Sequence, residues 1–147
     1  MKWLTQQEVI TAAATGDDEA LVCTYKHWDQ FVRATAKETR STEVGIGWKW
    51  CALCRRSALI GPGCGDCPDC GACPLFALQG RESCDAPDTL WQIARSRLDE
   101  WQYSYEIMRP QAQQRKAYAR WQAAAAAMRD TIGLLQTPNH IVERTQK

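Results

Sequence analysis

The sequence predicts a mainly α-helical fold: antiparallel helices, as a hairpin or small bundle, with an irregular cysteine-rich lobe inserted between them. Three observations predict it. Apolar residues recur at three- and four-residue spacings before residue 40 and again from Trp91 to Leu135, the period of one helix face. Seven of the eight cysteines lie between Cys51 and Cys84, where that period stops. At 147 residues, 45% apolar and 24% charged, the chain has the length and composition of one globular domain. The expected organisation is one helical domain over 1–147, with a cysteine lobe at 51–84 and a helical hairpin at 85–135.

In chain order, Thr5 as N-cap and Glu8 at the capping-box position open a short helix over 5–14 that ends near Gly16. A second helix starts at Asp17 or Asp18. It carries Leu21, Tyr25, Trp28, Val32 and Thr35 on one face and is expected to run to about residue 40. STEVGIGWKW, residues 41–50, loses the period and holds two glycines, so a turn with a short extended piece is expected. After the cysteines, Asp85 is the expected cap, with Asp88 three positions on, of a helix bearing Trp91, Ala94, Leu98, Trp101, Tyr105 and Met108. Pro110 kinks or ends that helix, and an antiparallel return is preferred. The returning helix places Tyr118, Trp121, Ala125, Met128, Ile132 and Leu135 together, and the alanine run at 123–127 permits close helix approach. Beyond Gly133 a loose tail is expected, and His140 in it has no partner motif.

No run of residues approaches the length of a membrane span, so no membrane association is expected. MKWLTQQEVITAAATGDDEA turns polar before an apolar core forms, does not read as a secretory leader, and makes an intracellular location the expectation. Net charge is +1, which gives no global reason to bind a polyanion. Locally, Arg109, Arg115, Lys116, Arg120 and Arg129 form a stretch without an acid. It reads first as a solvated helix face balanced by neighbouring acids and second as a nucleic-acid stripe.

The cysteines run C51-A-L-C54, nine residues, C64-G-D-C67-P-D-C70-G-A-C73, then ten residues to Cys84. CxxC brings two thiolates to one ion from a tight turn, and two such pairs supply the tetrahedral four-sulfur shell that zinc accepts. Glycines and prolines at 61, 62, 63, 65, 68, 71 and 74 suit repeated turning and amides aimed at sulfur, so neither helix nor regular strand is expected across 51–84. With few large apolar side chains there, ligation is the natural source of order. A shell of four thiolates leaves no open position for water, so such zinc is structural.

Two other chemistries compete. A disulfide framework suits an even cysteine count but not the intracellular expectation. An iron–sulfur cluster is suggested by C64-x2-C67-x2-C70-x2-C73-P74, although the bacterial ferredoxin run has three residues before its last cysteine. Seven cysteines exceed one four-ligand site, so one or two ions are accommodated. Cys23 and His27, at i and i+4 on one helix face, are candidates to complete a site; a buried thiol and a helix-surface histidine are the plainer readings.

KHW at 26–28, CALC at 51–54, CGACPL at 70–75, Cys84 with Pro87, and AAAAAMRDTIGLL in a trailing helix together resemble a group of small, cysteine-rich bacteriophage and prophage proteins of uncharacterised role. The resemblance covers most of the chain in order. It implies phage origin, action in the cytoplasm of a bacterial host, and preference for His27, Cys51, Cys54, Cys70, Cys73 and Cys84 as functional positions. Cys23, Cys64 and Cys67 are additions to the shared pattern.

No phosphate loop, Ser-His-Asp arrangement or HExxH is present. The leading expectation is therefore a non-enzymatic zinc protein that binds a host or phage macromolecule, a protein first. Trp3, Trp48 and Trp50 lie outside the helical stripes and are candidate anchors. Nucleic-acid binding is second, with Arg115, Lys116 and Arg120 on phosphates. A neutral lobe (Arg55, Arg56 and Arg81 against Asp66, Asp69 and Glu82), which zinc-bound thiolates would make acidic, weighs against it. An iron–sulfur or thiol redox protein is third, although alternating strands and helices are missing from the pattern. Self-association through the apolar helix faces is left open.

Overall fold

The computed structural model describes residues 1–60 and 89–146, with side chains for 1–59 and 89–136. Six α-helices and one 3-10 turn make up these residues, and they contain no strand.

Helix α1, Gln6–Thr15, begins as its sequence requires. Thr5 Oγ1 accepts from the Glu8 amide at 3.1 Å, and the Glu8 carboxylate accepts from the Thr5 amide at 3.3 Å, the reciprocal capping box. Asp17, Asp18 and Glu19 open α2, Asp17–Arg33, at the positive end of its dipole. Its inward face buries Ala20, Leu21, Thr24, His27, Trp28 and Phe31. The expectation of one helix to about residue 40 is corrected. The helix stops at Arg33, and Thr35, rather than joining the apolar face, caps a separate α3, Ala36–Ser41. The signal is T35-A-K-E38, a second capping box: Glu38 N donates to Thr35 Oγ1 at 3.1 Å and Thr35 N donates to the Glu38 carboxylate at 3.0 Å. Residues 42–47 are irregular and Trp48–Trp50 form the 3-10 turn, so the short extended piece expected in this region is not a strand.

Residues 51–60 depart most from expectation. Helix α4, Ala52–Ile60, occupies the beginning of the segment in which no helix was expected. Ala52, Leu53 and Ser57 face inward and are buried, one turn apart, with the Ser57 hydroxyl returned to the Leu53 carbonyl at 2.9 Å. Leu53 N donates to Thr24 Oγ1 at 3.2 Å, which ties α4 to α2.

Helix α5, Leu90–Glu106, is capped by Thr89, whose hydroxyl accepts from the Gln92 amide, and not by Asp85, which lies outside the described residues. Ala94, Leu98 and Trp101 are buried as expected, but Met108 is past the helix end and 85% exposed. The end is a Schellman motif: Arg109 N reaches the Ser104 carbonyl at 2.9 Å and Met108 N the Tyr105 carbonyl at 3.1 Å. Met108 takes the left-handed position, φ 55°, where glycine is usual. The Arg109 guanidinium lies over the Tyr103 ring, 5.8 Å from its centroid, where an apolar contact commonly closes this motif.

After Pro110, whose carbonyl accepts from the Gln113 and Gln114 amides, α6, Gln111–Gln146, returns antiparallel. Trp101 against Tyr118 and Glu100 against Arg120 are placed symmetrically about the turn. The predicted stripe holds: Tyr118, Trp121, Ala125, Met128 and Ile132 are buried and Leu135 packs on the core. The tail expected after Gly133 is helix instead, continuing to Gln146. Gly133 is a point of close approach, where a Cβ would meet the Tyr25 ring of α2 at 3.4 Å. The core therefore lies where α2 and α5 meet α6, with α1 and α4 covering the other side of α2.

Candidate functional site

The start of α4 carries the CxxC pair. The Cys51 carbonyl accepts from Arg55 N at 3.0 Å, so Cys51 is the N-cap, and its Sγ accepts from the Cys54 amide at 3.3 Å. A thiol here does what serine or threonine does at other helix starts, and both sulfurs sit at the end of the helix that favours negative charge. Cys51 and Cys54 are each half-buried. Two anchors hold the turn. Arg55 Nε donates to the Lys49 carbonyl at 2.7 Å and its guanidinium lies over the Trp48 ring, while Arg56 bonds Asp17 and, at 2.9 Å, the Ala13 carbonyl of α1.

Cys23 is buried on α2, and its thiol is pushed up by burial first and by nearby Cys51 second. His27 is 1% exposed and packs edge-on against Trp28 and Phe31. Its Nε2 lies 2.8 Å from the Gly45 carbonyl. A carbonyl only accepts, so the proton is on Nε2 and Nδ1 is bare; among the described residues Nδ1 has no partner. Burial lowers the His27 pKa to about 4, with the Gly45 bond opposing. Among the described residues no three His, Cys, Asp or Glu side chains are grouped closely enough to hold an ion. Cys64, Cys67, Cys70, Cys73 and Cys84 lie outside the described residues.

The tryptophans divide. Trp48 is 39% exposed, Trp50 packs on the core, and Trp3 tilts onto Phe31 with centroids 5.1 Å apart. On α6, Arg120 faces Glu100 at 3.5 Å, and Arg129 bonds both Asp29 and Asp130 at 3.0 Å. Those acids come from α5, α2 and α6 itself, so this part of the basic stretch is the balanced helix face. Arg115 and Lys116 remain exposed. Arg40, which no binding motif in the sequence marks, is brought by α3 to the same side of the molecule as Arg115. The overlooked capping box at Thr35 was its signal, because the chain turn that box creates is what places Arg40 there.

No family model, no curated protein and no solved structure matches this chain. No helix among the described residues is long and apolar enough to cross a membrane.

Proposed function

We propose that the protein is a non-enzymatic, phage-encoded zinc protein, acting in the cytoplasm of a bacterial host, whose cysteine segment is ordered by one or two zinc ions and presents a surface to a host or phage protein. The observation that carries this reading is the Cys51–Cys54 turn, in which a backbone amide already points at Cys51 Sγ at 3.3 Å. Amide-to-sulfur bonds of this kind orient thiolates around a metal. The helical core reaches this turn through Leu53 and Arg56, so two ligands are carried by a rigid element and the others come from Cys64, Cys67, Cys70, Cys73 and Cys84. Trp48, exposed beside Arg55, is the aromatic residue best placed to meet a partner there.

Elemental analysis of freshly purified protein with a thiol count under denaturing conditions tests the metal. Stoichiometric zinc with all thiols reduced is expected, and Cys51→Ser with Cys54→Ser should lower the zinc content. Iron with inorganic sulfide, or paired thiols without metal, would overturn the reading. Capture from host lysate by wild-type protein and by a Cys70→Ser, Cys73→Ser variant tests the partner; identical recoveries would count against a metal-shaped interface.

A thiol redox role is the second reading, because Cys51 is a free, half-exposed thiol at a helix N-cap with Cys54 one turn on. A measurable Cys51–Cys54 disulfide potential in zinc-free, fully folded protein would favour it.

A further inference from the structure

On elements other than α4, helix α3 and the opening turns of α6 enclose a cleft of about 160 Å³ against α5, with Trp101 and Tyr118 in its walls. Its charged lining is of one sign. Arg40 comes from α3 and Arg115 from α6, Gln111 and Gln114 add amides, and no carboxylate lines it. Six other arginines, at 33, 56, 95, 97, 120 and 129, each have a carboxylate within ion-pair distance. Among the described residues Arg40 and Arg115 have none. Arg40 is held by the Tyr105 ring, 5.1 Å from its centroid, and the Arg115 side chain makes no hydrogen bond among the described residues.

Two guanidiniums that stay charged at any working pH, left together without a counter-charge, favour a ligand carrying two negative charges. The first turn of α6 borders the same cleft and adds the positive end of a long helix. The volume equals about five waters at ~30 Å³ each, room for a phosphoryl group and the first atoms of what bears it. We infer that this cleft binds a phosphate dianion, free or carried as a monoester, held by Arg40 and Arg115 through the forked hydrogen bonds that guanidiniums make to phosphate oxygens. A nucleic-acid backbone fits less well, because the positive charge does not continue along α6: Arg120 and Arg129 are neutralised by Glu100, Asp29 and Asp130. This site goes beyond the zinc reading and does not depend on it.

The test is an amide-resolved NMR titration of the full chain with inorganic phosphate and with phenyl phosphate at constant ionic strength. Saturable shifts are expected at 36–40 and 111–118. Arg40→Gln and Arg115→Gln should each weaken binding about tenfold, the effect of losing one charge-assisted pair of hydrogen bonds. Lys116→Gln, next to Arg115 but outside the cleft, should leave it unchanged. Equal affinity for the two probes identifies free phosphate as the ligand, and tighter phenyl phosphate identifies a carried phosphoryl group resting on Trp101 and Tyr118. Shifts spread over all exposed basic residues, indifference to Arg115→Gln, or preferential binding of a single-stranded oligonucleotide with steep salt dependence would each overturn the assignment.

Discussion

His27 shows how a single side chain can look like a ligand in the sequence and acquire a second identity in the fold. Its spacing from Cys23 makes it a metal-ligand candidate, and the fold also packs it against Trp28 and Phe31 with Nε2 donating to Gly45. Neutral in the fold down to about pH 4, and ordinary at 6.5 once unfolded, it takes its proton preferentially in the unfolded chain between those values. Its contribution to stability is therefore full above pH 6.5 and lost as pH falls toward 4, by about 3 kcal/mol. Urea unfolding at pH 7 and pH 5 measures this, and His27→Gln is expected to flatten the dependence. The helix was readable in the stripe Leu21, Tyr25, Trp28 and Val32, but that stripe omits position 27 and leaves it a helix-surface histidine, which its burial corrects. The Gly45 carbonyl was not readable, because it arrives from a loop 18 residues away with no periodic signal.

At the scale of elements, the long amphipathic helices were legible and their ends were less so. Apolar spacing reports which face is buried but says little about where a helix stops, and Thr35 satisfied both the spacing of α2 and the chemistry of a cap. The cap won, and the new direction is fixed by Tyr118, whose hydroxyl donates to the Ala34 carbonyl at 2.8 Å and lies 2.7 Å from Thr39 Oγ1. Helix α4 escaped notice for a related reason. CxxC suits a tight turn, and a helix N-terminus accommodates the same pair. The hairpin end allows a direct test, since Met108 holds a left-handed backbone conformation with almost no packing to lose. Met108→Gly is expected to stabilise the protein by about 1 kcal/mol, raising Tm by about 2–4 °C in thermal melts followed by circular dichroism.

For the whole molecule, the described helices build a continuous core around Trp121, which is fully buried and meets Phe31 and Trp28 at centroid distances of 5.4 and 6.2 Å. Its Nε1 has no acceptor among the described residues, and ring volume is what this position uses. Trp121→Ala should cost about 3–5 kcal/mol in denaturant unfolding, and Trp121→Phe clearly less. Because the buried faces of α2, α5 and α6 make this core, with Cys51 packed only at its edge, a strong chelator is expected to strip any bound metal while leaving most of the helical circular dichroism; collapse of that signal would show that the core depends on the metal. One bond bears on how such a chain can change over generations. The Trp91 indole donates to the Ile46 carbonyl at 2.8 Å, clasping the chain just before the cysteine segment to the chain just after it. The acceptor is a main-chain carbonyl that any residue at 46 supplies, whereas the donor is an indole, so drift in the side chain at 46 leaves the clasp closed while replacement of Trp91 opens it.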